Sequence, residues 1–153
     1  MSRGDLCAYN YGTNTWVAAT AKGARTGALT ITDNAPDSPQ TVTLEGCGTV
    51  VKLLPARLDF GNQMVGTKSP VKTVVLTNTG STILHFSGIS ITGANAADFA
   101  QSNTCGSSLG AGKSCSLGVT FAPKAKGARS AAVVISDDGG CSPQRVPLSG
   151  TGT

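Results

Sequence analysis

Charge is scarce in this sequence. Asp, Glu, Lys and Arg make up 13% of its 153 residues, and the net charge of +4 is spread along the chain without two adjacent Lys or Arg. Nucleic-acid binding calls for a clustered basic face and for aromatic stacking platforms, and one Trp, two Tyr and four Phe do not supply the second, so that class of partner is set aside. Histidine occurs once, at His85, and no Cys-x-x-Cys pair is present. A zinc site would need more ligands at closer spacing, so no metal or cofactor is expected. No stretch of 18 apolar residues occurs, and the first residues contain no apolar signal core, so membrane insertion is not expected. Two settings fit: a cytoplasmic protein, or a piece of a larger exported protein whose signal lies elsewhere. Long runs of helix formers are missing too.

What the sequence does have is β-branched residues, Ser and 20 Gly, with 39% hydrophobic residues, a composition that points to an all-β protein. It also repeats itself. Lys22–Thr49, KGARTGALTITDNAPDSPQTVTLEGCGT, aligns without a gap to Lys126–Thr153, KGARSAAVVISDDGGCSPQRVPLSGTGT, at an offset of 104 residues and with 15 of 28 positions identical. An internal repeat of that offset gives the size of the unit, and 104 residues of short alternating strands fit an immunoglobulin-like sandwich. Counting back from Thr153 puts a complete unit at 50–153. Residues 1–49 then hold only the closing part of an earlier copy, behind an irregular start.

Along the chain, 14–18 around Trp16 and Val17 is an isolated alternating patch. The triplet Arg3-Gly4-Asp5 spells an integrin-binding sequence, but three residues match by chance too often to carry adhesion. Gly27–Thr32 and Gln40–Glu45 read as two strands joined by the turn formers DNAPDSP, a hairpin. Alone it leaves an apolar face of Gly27, Leu29, Ile31, Val42 and Leu44 uncovered, so these five are the candidate assembly residues. In the complete unit, 50–54 and 58–60 read as a first strand broken at Pro55 on a sheet edge. Strands follow at 71–77, 83–92, 114–121, 128–136 and 145–149, with Phe99 as a core anchor in 96–100 and a helical turn near 94–98. About seven strands in two packed antiparallel sheets are expected.

LDFGNQMVGT (58–67), VVLTNTGSTILHFSGISITGANAADFA (74–100), NTCGSSLGAGKSCSLGVTFAPKAKGAR (103–129) and PLSGTGT (147–153) resemble the ASH/Hydin-type immunoglobulin-like module, common in bacterial "choice-of-anchor D" surface proteins. The resemblance covers 50–153, with 22–49 as the tail of a previous copy. It implies a sandwich related to major sperm protein and pilus-chaperone domains. It also implies a surface or secreted setting in bacteria and a ciliary or centrosomal one in eukaryotes. Cys105 and Cys115 flank a Gly/Ser-rich loop that can bring two strand ends together, and the resemblance points to the same disulfide. Cys47 lies in the connector between copies and Cys141 in the closing hairpin turn, which in such a sandwich sits where the chain enters. Cys47–Cys141 is therefore a candidate clamp, and Cys7 is left free or intermolecular.

Catalysis finds little support. Any triad would have to use His85, which lies on an expected strand. Asp137-Asp138 fall in a turn, where Asp is favoured for backbone reasons. Gly112-Lys113-Ser114 is not followed by a helix pattern, as a phosphate loop would be. The expected function is a non-catalytic spacer or adhesive module of an extracellular or cell-surface protein, whose partners are neighbouring repeats or copies of itself. Two other readings remain open: a pilus-like fibre subunit, forming a homo-oligomer or filament by strand complementation, and an intracellular scaffold of the ciliary type.

Overall fold

Strict alternation of apolar and polar residues gives each strand one face for a core, and the folding of this chain follows from pairing those faces. In the computed structural model, residues 22–153 are described, together with the backbone of two short antiparallel strands, β1 (Ala8–Asn10) and β2 (Thr15–Val17). The strand expected around Trp16 is thus present. A hairpin follows, β3 (Gly23–Ile31) with β4 (Gln40–Gly48), longer at its base than its sequence pattern suggested and ending one residue earlier at the turn.

The remaining strands are β5 (Val51–Leu54), β6 (Leu58–Gln63), β7 (Lys72–Asn78), β8 (Leu84–Thr92), β9 (Phe99–Asn103), β10 (Ser108–Leu109), β11 (Ser114–Phe121), β12 (Gly127–Asp137) and β13 (Gln144–Gly152). They form two sheets, a four-stranded one in the order β5-β7-β11-β9 and a five-stranded one in the order β10-β8-β12-β13-β6. A single 3-10 turn at Ala96–Asp98 is the only helix among the described residues.

The expected count of seven strands is too low: this sandwich has nine, and with the β3–β4 hairpin there are eleven in 22–153. Two causes account for the difference. The segment interrupted at Pro55 is not one broken strand, because its halves join different sheets, β5 beside β7 and β6 beside β13. Strand β10 is only two residues long and exists through its pairing with His85 and Leu84. Pairing is also not antiparallel throughout, since β6 runs parallel to β13.

The core lies between the sheets. Val74, Leu76, Leu117, Val119 and Phe121 face Leu84, Val133, Ile135, Val146 and Leu148, all at most 2% exposed. Burial of each such side chain contributes about 1.5–3 kcal/mol. At one end Phe121 stacks on Phe99 with ring centroids 4.7 Å apart, and Phe60 closes the group at 5.7 Å from Phe121. Gly150 makes room for this cluster, because a Cβ there would lie 2.5 Å from the Phe121 ring. At the other end Asn78 is fully buried and fully used. Its side-chain amide donates to the Thr82 and Leu109 carbonyls and its Oδ1 accepts the Gly80 N–H. Replacing Phe121 by Ala should lower the unfolding free energy by about 3–5 kcal/mol, read from denaturant midpoints at constant slope. A loss under about 1 kcal/mol would mean that the aromatic cluster does not hold the sheets together.

Candidate functional site

The turn between β12 and β13, Asp137-Asp138-Gly139-Gly140-Cys141, gathers more long-range contacts than its length suggests. Gly140 adopts a φ of +87°, and a Cβ on it would lie 2.5 Å from the Gly48 carbonyl oxygen and 2.8 Å from the Gly23 nitrogen. Only glycine permits the base of the β3–β4 hairpin to sit this close. Cys141 follows with a φ of +58°, a region that disfavours most side chains by about 1–2 kcal/mol. It forms a disulfide with Cys47, the Cα atoms 5.8 Å apart. Lys22 Nζ donates to the Asp138 carbonyl at 3.0 Å, Val50 N–H donates to the Gly139 carbonyl at 3.0 Å, and Gln144 Nε2 reaches both Thr49 Oγ1 and the Gly140 carbonyl. One turn thus ties the hairpin, the connector and the sandwich together.

The second disulfide, Cys105–Cys115, closes the loop between β9 and β11, with 4.9 Å between Cα atoms. Cys7 and Arg3-Gly4-Asp5 lie outside the described residues.

The five apolar positions of the hairpin share one face: Gly27 stands opposite Leu44 and Leu29 opposite Val42, with Ile31 two residues on. That face is open. Leu29, Ile31, Val42 and Leu44 are 39%, 45%, 51% and 43% exposed. The hairpin is nevertheless built like its repeat. β3 and β4 pair from Gly23↔Gly48 to Ile31↔Gln40, and β12 and β13 from Gly127↔Gly152 to Ile135↔Gln144, every pair displaced by the same 104 residues. Their turns match as well: Ser38 Oγ accepts the Asp33 N–H as Ser142 Oγ accepts that of Asp137, both at 2.9 Å.

The weighed catalytic residues do not converge. His85 Nδ1 lies 3.0 Å from Asp138 Oδ2 in an exposed pair, whose carboxylate also accepts the His85 backbone N–H. Asp137 points elsewhere, accepting the Gly139 N–H at 2.8 Å. Gly112-Lys113-Ser114 turns into strand β11, where Ser114 Oγ meets Thr77 Oγ1. Among the described residues no group of His, Cys, Asp or Glu could hold a metal ion. A shallow depression of about 330 Å³ lined by Phe86, Ser87, Ile89, Asn103 and Ser107 offers no titratable side chain.

Residues 49–151 match the family described as HYDIN/CFA65/VesB-like, Ig-like domain. The chain belongs to that family. Among solved structures, this HYDIN-like chain is similar to the ASH/PapD-like domain 7 of human CEP192, at 20% identity over 69% of this chain and 86% of that one, with a TM-score of 0.52. It is also similar to a protein of unknown function from Porphyromonas gingivalis W83, at 13% identity over 86% of this chain and 67% of that one, with a TM-score of 0.56. Both likenesses are of fold. No curated protein matches the chain.

Sequence reasoning missed the electrostatics of this HYDIN-like module's last turn. Burial pushes the Asp137 carboxyl above the ordinary carboxylate range, the Gly139 N–H opposing and the Asp138 charge adding, and its Oδ2 is buried without a hydrogen-bond partner. Asp138 is held below that range by the His85 backbone and side-chain hydrogen bonds. A folded-state value raised above the unfolded one favours the protonated form. The strain from Asp137 is therefore absent below the ordinary value and sets in as pH rises through it to the raised one. The stability difference between Asp137→Asn and the parent should move in the variant's favour from about pH 3 to about pH 7, and a flat difference would show a carboxyl that titrates as it does unfolded. Removing the clamp in a Cys47→Ser/Cys141→Ser variant should lower sandwich stability by about 3–5 kcal/mol in chemical denaturation, since its loop spans 94 residues.

Proposed function

We propose that this chain is a non-catalytic structural and interaction module of an exported or cell-surface protein, of the kind that occurs in choice-of-anchor D proteins. Its role is to hold neighbouring segments at a fixed orientation. The observation that carries the reading is the joint around Gly140 and Cys141. A covalent clamp, a glycine contact and the Lys22–Asp138 hydrogen bond fix the preceding hairpin to the sandwich, where a flexible tether would leave it free. Two disulfides agree with an oxidising compartment. No helix among the described residues is long and apolar enough to cross a membrane.

In this reading residues 1–49 carry the closing hairpin of a preceding unit, and 50–153 are the complete unit. The open apolar face of the hairpin also favours a second reading, a fibre subunit that joins its neighbours through β3–β4.

The test is a thiol count on protein recovered from its native host without reductant and denatured before labelling. At most one reactive thiol among the five cysteines is expected, with the total rising to five on reduction. Five reactive thiols before reduction would overturn the exported setting and favour an intracellular scaffold.

A further inference from the structure

The β3–β4 hairpin and the β12–β13 hairpin share register, turn bonding and spacing, yet differ in one respect: the second is covered, and among the described residues nothing buries the apolar side chains of the first. The positions 104 residues beyond Leu29, Ile31, Val42 and Leu44 are Val133, Ile135, Val146 and Leu148. These are 1%, 0%, 1% and 2% exposed. Their cover therefore describes what the first hairpin is shaped to receive. It consists of an antiparallel strand along the outer edge of β12, a parallel strand along the outer edge of β13, and an apolar sheet across the face. All three come from residues 50–125.

Two glycines strengthen the correspondence. Gly150 and Gly152 interrupt β13 because the Phe121 ring and the Ala125 carbonyl press on it; a Cβ there would come within 2.5 Å of the ring and 2.2 Å of the oxygen. Strand β4 has glycine at both corresponding positions, Gly46 and Gly48. Glycine weakens a strand interior and marks close approach by another group. The Gly48 carbonyl lies against Gly140, and Gly46 is the position that corresponds to the seat of the aromatic ring. The side chains also compensate: Gly27 replaces Ala131 and Leu29 replaces Val133, so one methylene lost is one gained.

From these observations we infer that the β3–β4 face is the receiving half of a second sandwich, and that its occupant is a front half with the pattern of residues 50–125. That occupant supplies a strand antiparallel to β3, a strand parallel to β4, and a facing sheet with an aromatic ring over Gly46. A second copy of this chain is disfavoured as the donor, because its own front half is already closed by β12–β13. The inference deepens the interaction-module reading by naming the chemistry of the partner.

The test inserts a copy of residues 50–125 between Ala21 and Lys22 of the full chain, so that Ala125 of the copy precedes Lys22 as Ala125 precedes Lys126. Hydrogen exchange is then followed at 23–31 and 40–48, with 127–137 and 144–152 as the internal standard. The inserted chain should slow exchange in β3–β4 by about 100-fold or more relative to the parent, and adding Gly46→Val should abolish the slowing while the standard strands stay protected. Unchanged exchange in β3–β4 with protected standard strands would overturn the inference and leave the module reading in place. Light scattering on the parent chain provides the other arm. Oligomers in which β3–β4 is already protected would overturn the inference in favour of a second copy as occupant.

Discussion

The period-two alternation of a strand commits every apolar residue of a hairpin to the same side, and most of this structure follows from what lies against that side. In β12–β13 the apolar side meets Phe121, Leu117, Val119, Val74 and Leu76, and water is excluded. In β3–β4 the same geometry meets solvent. Two strands in isolation have marginal stability, because their hydrogen bonds are exchanged for water at little gain and the apolar face contributes nothing until it is covered. The hairpin persists beside the sandwich because its base is fixed from outside. The disulfide, Lys22 and Gly140 all act at the end where Gly23 pairs with Gly48.

The turn that provides this fixing combines features that would be unfavourable singly. Cys141 sits in a left-handed conformation, Asp137 keeps a carboxylate oxygen buried without a donor, and two glycines replace side chains that would collide. Together they are offset by the disulfide to Cys47, the Asp137 N–H bond to the Ser142 hydroxyl, the Gln144 amide on the Gly140 carbonyl and the Val50 N–H on the Gly139 carbonyl. Placing such a turn at the junction couples the local order of the last hairpin to the position of the segment before the module.

Much of this was legible in the residues, because the information was local. The alternation of Leu117, Val119 and Phe121 marked β11, the turn formers DNAPDSP marked the hairpin, and Phe99 stood out as an apolar anchor in a polar stretch. The features that escaped depend on partners distant in sequence. Strand β10 is two residues that no pattern distinguishes from loop, ordered by pairing with Leu84 and His85. The parallel placement of β6 is decided by β13, some 90 residues later. The joint was half visible. Gly140 reads as an ordinary turn glycine, and only the approach of Gly48 and Gly23 shows why it cannot carry a side chain. Nothing in the sequence singles out Lys22, and its bond to the Asp138 carbonyl appears only with the two hairpins in place.

The position of the Cys47–Cys141 bridge has a mechanical consequence. Tension entering through β4 and leaving at Thr153 passes across the sulfur–sulfur bond and then along β13, so residues 48–140 lie outside the line of force. At full extension the twelve residues after Cys141 span at most roughly 40 Å, and most of them already lie extended in β13, whereas the unbridged chain beyond Cys47 would span roughly 370 Å. The strand that does bear the pull is held at both its ends, so its pairing with β12 on one side and β6 on the other is spared the load, which the covalent backbone carries. A bridge at the junction thus turns a sandwich that could unravel into a short, stiff link.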